Sequence, residues 1–560
     1  MLWVAAATAL GAALRFYGLA WGAPYFHFHI DEHVVFSYAE ALSRNTQEAA
    51  ESAKFFMYSP VPMYILNGIA AAYNALVHRL DLTVPRDEVT FMLMGRAISA
   101  TLGTATIPLV YLIARHVSGR LAGVFAAFLL ACSVIHLRES HFFSLDVSMT
   151  FCTVVAWWFL VRTVERGDVL GAAGSAVSLG LGVASKYSAA FIGPMIGVAE
   201  LMSPYGPRGF LPIRPWVRVA VRTALTGLAG VAIFLALDPL VLRYFDKFQS
   251  DIKVWVIDPL SGTSKPEWIA QFADVNAIPY WFTNLLWWGL GPALEIWALA
   301  GVAWLLWRRD RLSLLTAAFP IVYWLSAGKT ATIAPFIRYT VPLAPPLAVA
   351  AGALSADLFR RPRWRTMSRF ATAIVIATTA LWALAYMNVY RQPDSRLEAS
   401  AWLLKNVPAD SKILVEPSHN TPPVGSYLNA VNFYRSYVLF YPQTEKHDYY
   451  QIYALDTYRS LYNRGTDDDF RRNYIQSRLA LVDWIVMDDT FLQQYQHLPS
   501  PDHAVVKQYY KDLFDGRLGF KLVKTFKTYP SLFGLTIDDD DAELTFRLFD
   551  HPRVFVFLRQ

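Results

Sequence analysis

Apolar runs of the length that crosses a bilayer, about 20 residues each, recur through the first 390 residues of this 560-residue chain. They fall near 2–22, 91–114, 119–137, 147–164, 169–185, 188–202, 219–240, 284–307, 312–327, 339–358 and 369–389. Short basic blocks punctuate them: Arg115 to Arg120, Arg162 and Arg166, then Arg208, Arg214, Arg218 and Arg222, then Arg308-Arg309-Asp310-Arg311, then Arg360 to Arg365. Every alternate loop is basic, and such loops stay on the cytoplasmic side. The pattern predicts a polytopic α-helical membrane protein of about eleven spans, N-terminus inside, with whatever follows residue 390 outside. Residues 2–22 carry no charged leader and no cleavage motif, so they read as the first transmembrane helix and not as a signal peptide.

Composition agrees once it is read locally. Hydrophobic residues make up 55% and charged residues only 17%, against about a quarter in soluble chains, and the shortage lies before residue 390. The net charge of +6 sits in the loop blocks, which makes it a topology signal and excludes a nucleic-acid face. Cys132 and Cys152 lie within apolar runs and say nothing about redox compartment. From 391 to 560 the grammar is that of a soluble α/β domain. An amphipathic helix over 395–405 leads to strands at 412–416 and 481–487. The segment 542–550, the turn His551-Pro552 and 553–558 form a hairpin-like end. Asp538 to Asp541 lack the spacing of a calcium loop and read as a solvated turn.

The polar groups left over fall on the outer face. Phe26-His27-Phe28-His29-Ile30-Asp31-Glu32-His33 opens the outer loop 23–90, and Asp31 there suits either a reaction centre or the start of the following helix. Arg138-Glu139-Ser140-His141 and Asp146 form the turn between the third and fourth spans, where snorkelling and a local ion pair are the plainer alternative. Lys186-Tyr187 interrupts an apolar run, and Lys329 and Arg338-Tyr339 mark the outer ends of the ninth and tenth spans. Tyr58 to Leu66, with Pro60 and Pro62, reads as an interfacial helix, and the aromatic loop 241–283 as a second surface segment. Acids beside cations at one water–lipid boundary suit a phosphate-bearing lipid with a leaving group, together with a base for an incoming nucleophile.

In order, Arg15 to Leu19, His29 to Glu32, Tyr58 to Pro62, Gly95 to Ala100, Arg138 to Asp146, Gly182 to Lys186 and Arg338 to Leu343 resemble the GT-C membrane glycosyltransferases of the protein O-mannosyltransferase and aminoarabinose-transferase superfamily. The resemblance covers residues 1–390, and the ending Phe549 to Val554 is similar to extracytoplasmic tails of some prokaryotic members. It implies an inverting transfer of a sugar from a polyprenyl-phosphate carrier to a protein, lipid or glycan acceptor outside the cytoplasmic membrane. On this sequence Asp31 would be the general base, with Glu32 assisting. Asp146 would bind acceptor, sugar or a metal. Lys186, Arg338 with Tyr339, and Arg138 would face the lipid phosphate. His27, His29, His33, His136 and His141 depart from simpler relatives, with His29 and His33 as candidate ligands for a divalent ion. The rival reading is a transporter or flippase of lipid-linked sugars, which also carries charge among its spans.

Overall fold

The computed structural model describes residues 2–23, 29–52, 55–79, 88–207, 213–264, 266–328, 332–418, 420–423, 450–457, 461, 468–498 and 503–560. Phe26, His27, Phe28, Lys265 and Lys329 lie outside them. The chain is mostly helical and forms two compact units, one of Met1–Leu19, Val34–Ser261 and Trp281–Leu384, the other of Ala20–His33, Gly262–Tyr280 and Ala385–Gln560.

The helices of the first unit are α1 (Leu2–Phe16), α2 (Ile30–Arg44, in this unit from Val34), α3 (Val61–Arg79), α4 (Glu88–Ala131), α5 (Val134–Glu139), α6 (Leu145–Arg166), α7 (Val169–Ser185), α8 (Met195–Met202), α9 (Arg214–Leu237), α10 (Phe245–Ile252), α11 (Pro292–Arg308), α12 (Arg311–Ala327), α13 (Ala344–Arg360) and α14 (Arg365–Met387, in this unit to Leu384). Among the described residues five helices are long and apolar enough to cross a membrane, or six if a pair bent by 117° counts as one span. That bend falls at Gly291, whose φ of 83° breaks the apolar run expected over 284–307. Pro62 sits in the first turn of α3, where its missing N–H costs nothing. The centre of the unit is α13. Ala344 to Ala356 are all buried, and the small side chains let backbones close in, as helix packing in lipid favours. A Cβ on Gly352 would stand 2.6 Å from the carbonyl oxygen of Ala122.

The runs 91–114 and 119–137 share α4, interrupted at Ser118 (φ −143°, ψ 22°) and Gly119 (φ 83°, ψ −179°). The basic loops meet around this break. Arg308 binds Asp357 at 2.8 Å and also the Ser118 hydroxyl. Trp304 Nε1 donates to Asp357 at 3.0 Å, and Arg360 donates to Asp357 at 3.1 Å and to the Ser118 carbonyl at 2.5 Å. His116 contacts Glu165 at 2.8 Å, Arg162 pairs with Asp168 at 2.5 Å, and Arg222 pairs with Glu200 at 2.7 Å while feeling Asp168. The blocks that the charge pattern put on one side are therefore linked through neighbouring contacts.

At the other end of α4, Arg15 is wholly buried. It donates to the carbonyls of Leu130 and Ala131 at 3.2 Å and contacts His136 Nδ1 at 2.9 Å. Those carbonyls belong to a helix C-terminus, where a cation is favoured; that of Leu130 also accepts the Ser133 N–H at 3.3 Å. Arg96 does the same for the Leu19 carbonyl at 2.9 Å. Two arginines of the family-like pattern thus hold backbone.

In the second unit a five-stranded sheet has the order β2-β1-β3-β7-β4, with β1 (Lys412–Val415), β2 (Gln451–Ala454), β3 (Trp484–Asp488), β4 (Phe520–Phe526) and β7 (Val554–Arg559); β5 (Ser531–Leu532) and β6 (Leu535–Thr536) form a separate hairpin. β1 runs parallel to β2 and β3, while β7 is antiparallel to β3 and β4. Alternate residues face opposite sides of a strand. Ile413, Val415, Trp484, Val486, Val554 and Val556 pack on α15 (Ser395–Asn406). Leu414, Ile485, Met487, Phe555 and Phe557 pack on α16 (Asp468–Leu479), α17 (Thr490–Gln496) and α18 (Ala504–Phe514). The result is a sheet covered by helices on both faces. The hairpin-like end is corrected: Leu544–Leu548 is a short helix, α19, and β7 pairs with β3 and β4 instead.

The acidic run is corrected too. Asp539 is fully buried and contacts His551 Nε2 at 2.8 Å, Asp550 contacts its Nδ1 at 2.6 Å, and Tyr386 and Tyr390 donate to Asp550. Asp540 takes Arg553 at 2.7 Å, and Asp489 takes Arg553 and Arg547. Burial alone would lower the His551 pKa, but Asp539 and Asp550 outweigh it and raise it to about 9. Burial raises Glu416 to about 8, against hydrogen bonds from Tyr510 and Tyr509, with Asp488 adding to the rise.

Both groups bind their protons more tightly folded than unfolded, so their contributions are complete below the unfolded pKa and fade as pH rises through the folded one. For the detergent-solubilised chain, unfolding followed by hydrogen exchange at 554–558 should therefore become easier from about pH 4.5 to 9, Glu416 acting up to about 8 and His551 from about 6.5 to 9. His551→Gln should flatten that fall, and an unchanged slope would count against the pairing. At the break in α4, Gly119 occupies a region open essentially to glycine alone. Gly119→Ala should cost about 1–3 kcal/mol, seen as a lower thermal midpoint.

Candidate active site

The connector between α4 and α6 carries the densest buried charge of the first unit. Ser144 caps α6: its Oγ accepts from the Asp146 N–H at 3.2 Å and donates to Glu139 Oε2 at 2.9 Å. Arg138, also buried, pairs with Glu139 Oε1 at 2.5 Å. Burial, the largest influence, raises the Glu139 carboxyl above its usual range; Arg138, Ser144 and Arg338 pull it down and Asp146 pushes it up. Asp146 and Arg338 therefore stand within electrostatic reach of one carboxyl group.

Lys186 follows the last turn of α7 in an extended conformation, its N–H bound to the Gly182 carbonyl at 2.8 Å. Its ammonium pairs with Asp146 Oδ2 at 2.6 Å and lies 6.0 Å from the centre of the Tyr339 ring. Arg338 stacks over Phe336 at 4.9 Å and over Tyr339 at 6.0 Å. Tyr323, buried on α12, is within the reach of both Asp146 and Tyr339. The other oxygen of Asp146 is buried with no hydrogen-bond partner among the described residues. A buried acceptor is left unmade only at a cost, so Asp146 presents an open lone-pair face beside a cation and an aromatic ring.

Of the residues expected from sequence, Asp146, Lys186, Arg338 and Tyr339 thus come together. Arg138 is beside them but spends its charge on Glu139. Glu139 was named in this turn with a local ion pair as the plainer alternative, and it pairs with Arg138; Ser144 and Tyr323 were not expected. Ser144 had a readable signal, a capping serine two residues before Asp146 at the head of an apolar run.

Asp31 and Glu32 occupy the first turn of α2, in the second unit, where the helix dipole favours acids. Glu32 is completely buried. Asp31 thus stands at the start of the helix, as the plainer alternative has it, and the group that meets the Glu32 N–H is His29: its Nδ1 accepts from that N–H at 3.3 Å, and the His33 N–H donates to the His29 carbonyl at 3.0 Å. The His29 ring also packs on Phe549 at 4.2 Å. His29 and His33 were the expected metal ligands, yet among the described residues no three His, Cys, Asp or Glu side chains gather as a metal-holding group. One ring nitrogen of His29 is already committed to the backbone.

Residues 92–237 match the family model described as dolichyl-phosphate-mannose-protein mannosyltransferase. That match covers about a quarter of the chain. Its fold is similar to that of the oligosaccharyltransferase of Archaeoglobus fulgidus crystallised with Zn and sulfate, with a TM-score of 0.51 and 16% identity over 97% of this chain and 74% of that one. ArnT from Cupriavidus metallidurans bound to undecaprenyl phosphate is similar at a TM-score of 0.47 and 17% identity, over 72% of each chain. No curated protein matches the sequence. The family match spans Arg138, Glu139, Asp146 and Lys186, the residues of the connector site.

The Asp146–Lys186 pair is the contact that a double-mutant cycle can weigh. Asp146→Asn and Lys186→Met should couple by roughly 1.5–3 kcal/mol in unfolding of the solubilised protein, the range for hydrogen bonds to charged groups. Strict additivity would mean the pair carries no energy.

Proposed function

We propose that this protein is a glycosyltransferase that moves a sugar from a polyprenyl-phosphate carrier to an acceptor hydroxyl at the extracytoplasmic face, with inversion. The observation that carries the reading is the half-open Asp146 carboxylate held on Lys186 beside Arg338 and Tyr339. Cations so placed suit a phosphate whose negative charge grows as it leaves. The eleven-span, N-inside topology draws support from the linked basic blocks at Arg308, Arg360, Arg162 and Arg222. Residues 1–390 would be the transferase domain, and 391–560 an extracytoplasmic α/β domain.

In this mechanism the acceptor oxygen attacks the anomeric carbon while the bond from that carbon to the phosphate oxygen breaks. The hydroxyl proton passes to Asp31, with Glu32 assisting, and polyprenyl phosphate departs with its charge met by Lys186 and Arg338. A carboxylate is a weak base, yet the hydroxyl becomes acidic as bonding to carbon advances, so a late transfer suffices. Arg138 holds Glu139, and through Ser144 the head of α6.

The test supplies membranes with a polyprenyl-phosphate sugar and scores glycoside formed. Asp31→Asn should lower transfer by about 10²–10⁴-fold, the usual worth of a positioned base, with expression retained. Unimpaired transfer would remove Asp31 from the chemistry. Movement of the lipid-linked sugar across the bilayer with no glycoside formed would favour a transporter or flippase instead.

A further inference from the structure

Asp238 ends α9, in the first unit, and its carboxylate is 0% exposed. Neither oxygen accepts a hydrogen bond of good geometry from the described residues. The N–H groups of Leu240 and Val241 face it only loosely, and the Val241 N–H donates to the main-chain carbonyl of Asp238 at 3.3 Å. An acid at a helix C-terminus opposes the dipole, and an enclosed carboxylate met only by backbone N–H groups of the next turn, with no cation, is a costly arrangement. Among the described residues no ion pair accounts for it.

Its surroundings specify a ligand chemistry. Tyr187 and Tyr64 lie within electrostatic reach of Asp238. The Tyr187 hydroxyl is itself buried without a hydrogen bond of good geometry, since nearby Ser59 donates to the Val183 carbonyl at 3.0 Å. Phe234 and Phe248 present edge-on rings to Tyr187 at 6.0 and 5.9 Å. Lys247 is committed to both oxygens of Asp251 at 2.5 and 2.6 Å, and Asp251 also takes the Phe56 N–H at 3.3 Å. What remains is a carboxylate that can accept two hydroxyls, a phenol that donates and accepts, and aromatic faces for C–H groups. A sugar ring offers that combination.

We infer that Asp238 and Tyr187 form a subsite for the hydroxyl groups of the donor's sugar, one residue along the chain from Lys186. The inference rests on the transfer reading above and deepens it: Lys186 would answer the phosphate, and its neighbour would answer the sugar. Tyr187 then explains why the polar interruption of the apolar run is a Lys-Tyr pair and not a lone lysine.

The experiment measures binding to the full chain in nanodiscs of polyprenyl phosphate, bare or carrying mannose, glucose or arabinose. Wild type should prefer a sugar-bearing lipid. Asp238→Asn, which preserves shape and any capping, and Tyr187→Phe should each weaken that lipid by about tenfold or more while leaving bare polyprenyl phosphate unchanged. Lys186→Met should weaken both lipids. If bare lipid binds normally and Asp238→Asn loses nothing on any sugar-bearing lipid, or loses equally on all, the subsite is wrong and the transfer reading stands. A wild-type chain that binds neither kind of lipid overturns both.

Discussion

Charge buried among apolar helices must be answered by charge or by backbone, and the first unit is built around that requirement. Arg15 is matched to the last carbonyls of α4, Arg138 to Glu139, Lys186 to Asp146, Arg222 to Glu200 and Arg308 to Asp357. Breaking one such pair strands the survivor, which costs more than the pair is worth intact. The pairs therefore fix geometry more than they add stability. Lys186 is held where α7 ends because Asp146 is held where α6 begins, and Asp146 is held there by the Ser144 cap that Glu139 and Arg138 brace.

Against that background the incomplete matches carry information. Asp146 gives one oxygen to Lys186 and keeps the other open, and Asp238 keeps both. Asp251, a few residues from Asp238 and in the same aromatic surroundings, is fully satisfied by Lys247 and the Phe56 N–H. The contrast matters because the local chain can evidently supply donors when a carboxylate needs them. Openness at Asp146 and Asp238 is thus a property of those two positions and not of the neighbourhood. Both open faces lie beside the consecutive residues Lys186 and Tyr187.

Much of the helical architecture was legible because lipid imposes a length and a composition on every span, and the basic loops reveal which ends belong together. A hydropathy window, however, averages over backbone breaks. It divided α4 at the basic block, where the structure has a local break at Ser118–Gly119, and it ran straight through Gly291, where the helix turns sharply. Asp146, Lys186, Arg338 and Tyr339 were legible as polar interruptions of apolar runs. Glu139 was not, since a carboxylate next to Arg138 reads as a local pair and its reach to Asp146 and Arg338 depends on how α5 folds back. His29 as the cap of α2 was illegible because imidazole is not among the usual capping groups. Asp539 was misread for a related reason: four consecutive aspartates look solvated until His551 and Arg553 arrive from the far side of the turn.

The same reasoning separates the family-like pattern into two kinds of residue. Arg15 and Arg96 satisfy backbone carbonyls and are spent on the fold. The ending around Asp550, His551 and Arg553 likewise locks β7 and the aromatic start of the second unit through Tyr386 and Tyr390. Asp146 is held in place by Lys186, beside the Tyr339 ring, yet leaves one oxygen unused. Arg15 Nε is buried without a partner among the described residues as well, so an unused polar atom alone does not mark a binding position. At Asp146 the open oxygen stands beside a cation and an aromatic ring, which is why the proposed chemistry is placed at the junction of α6 and α7.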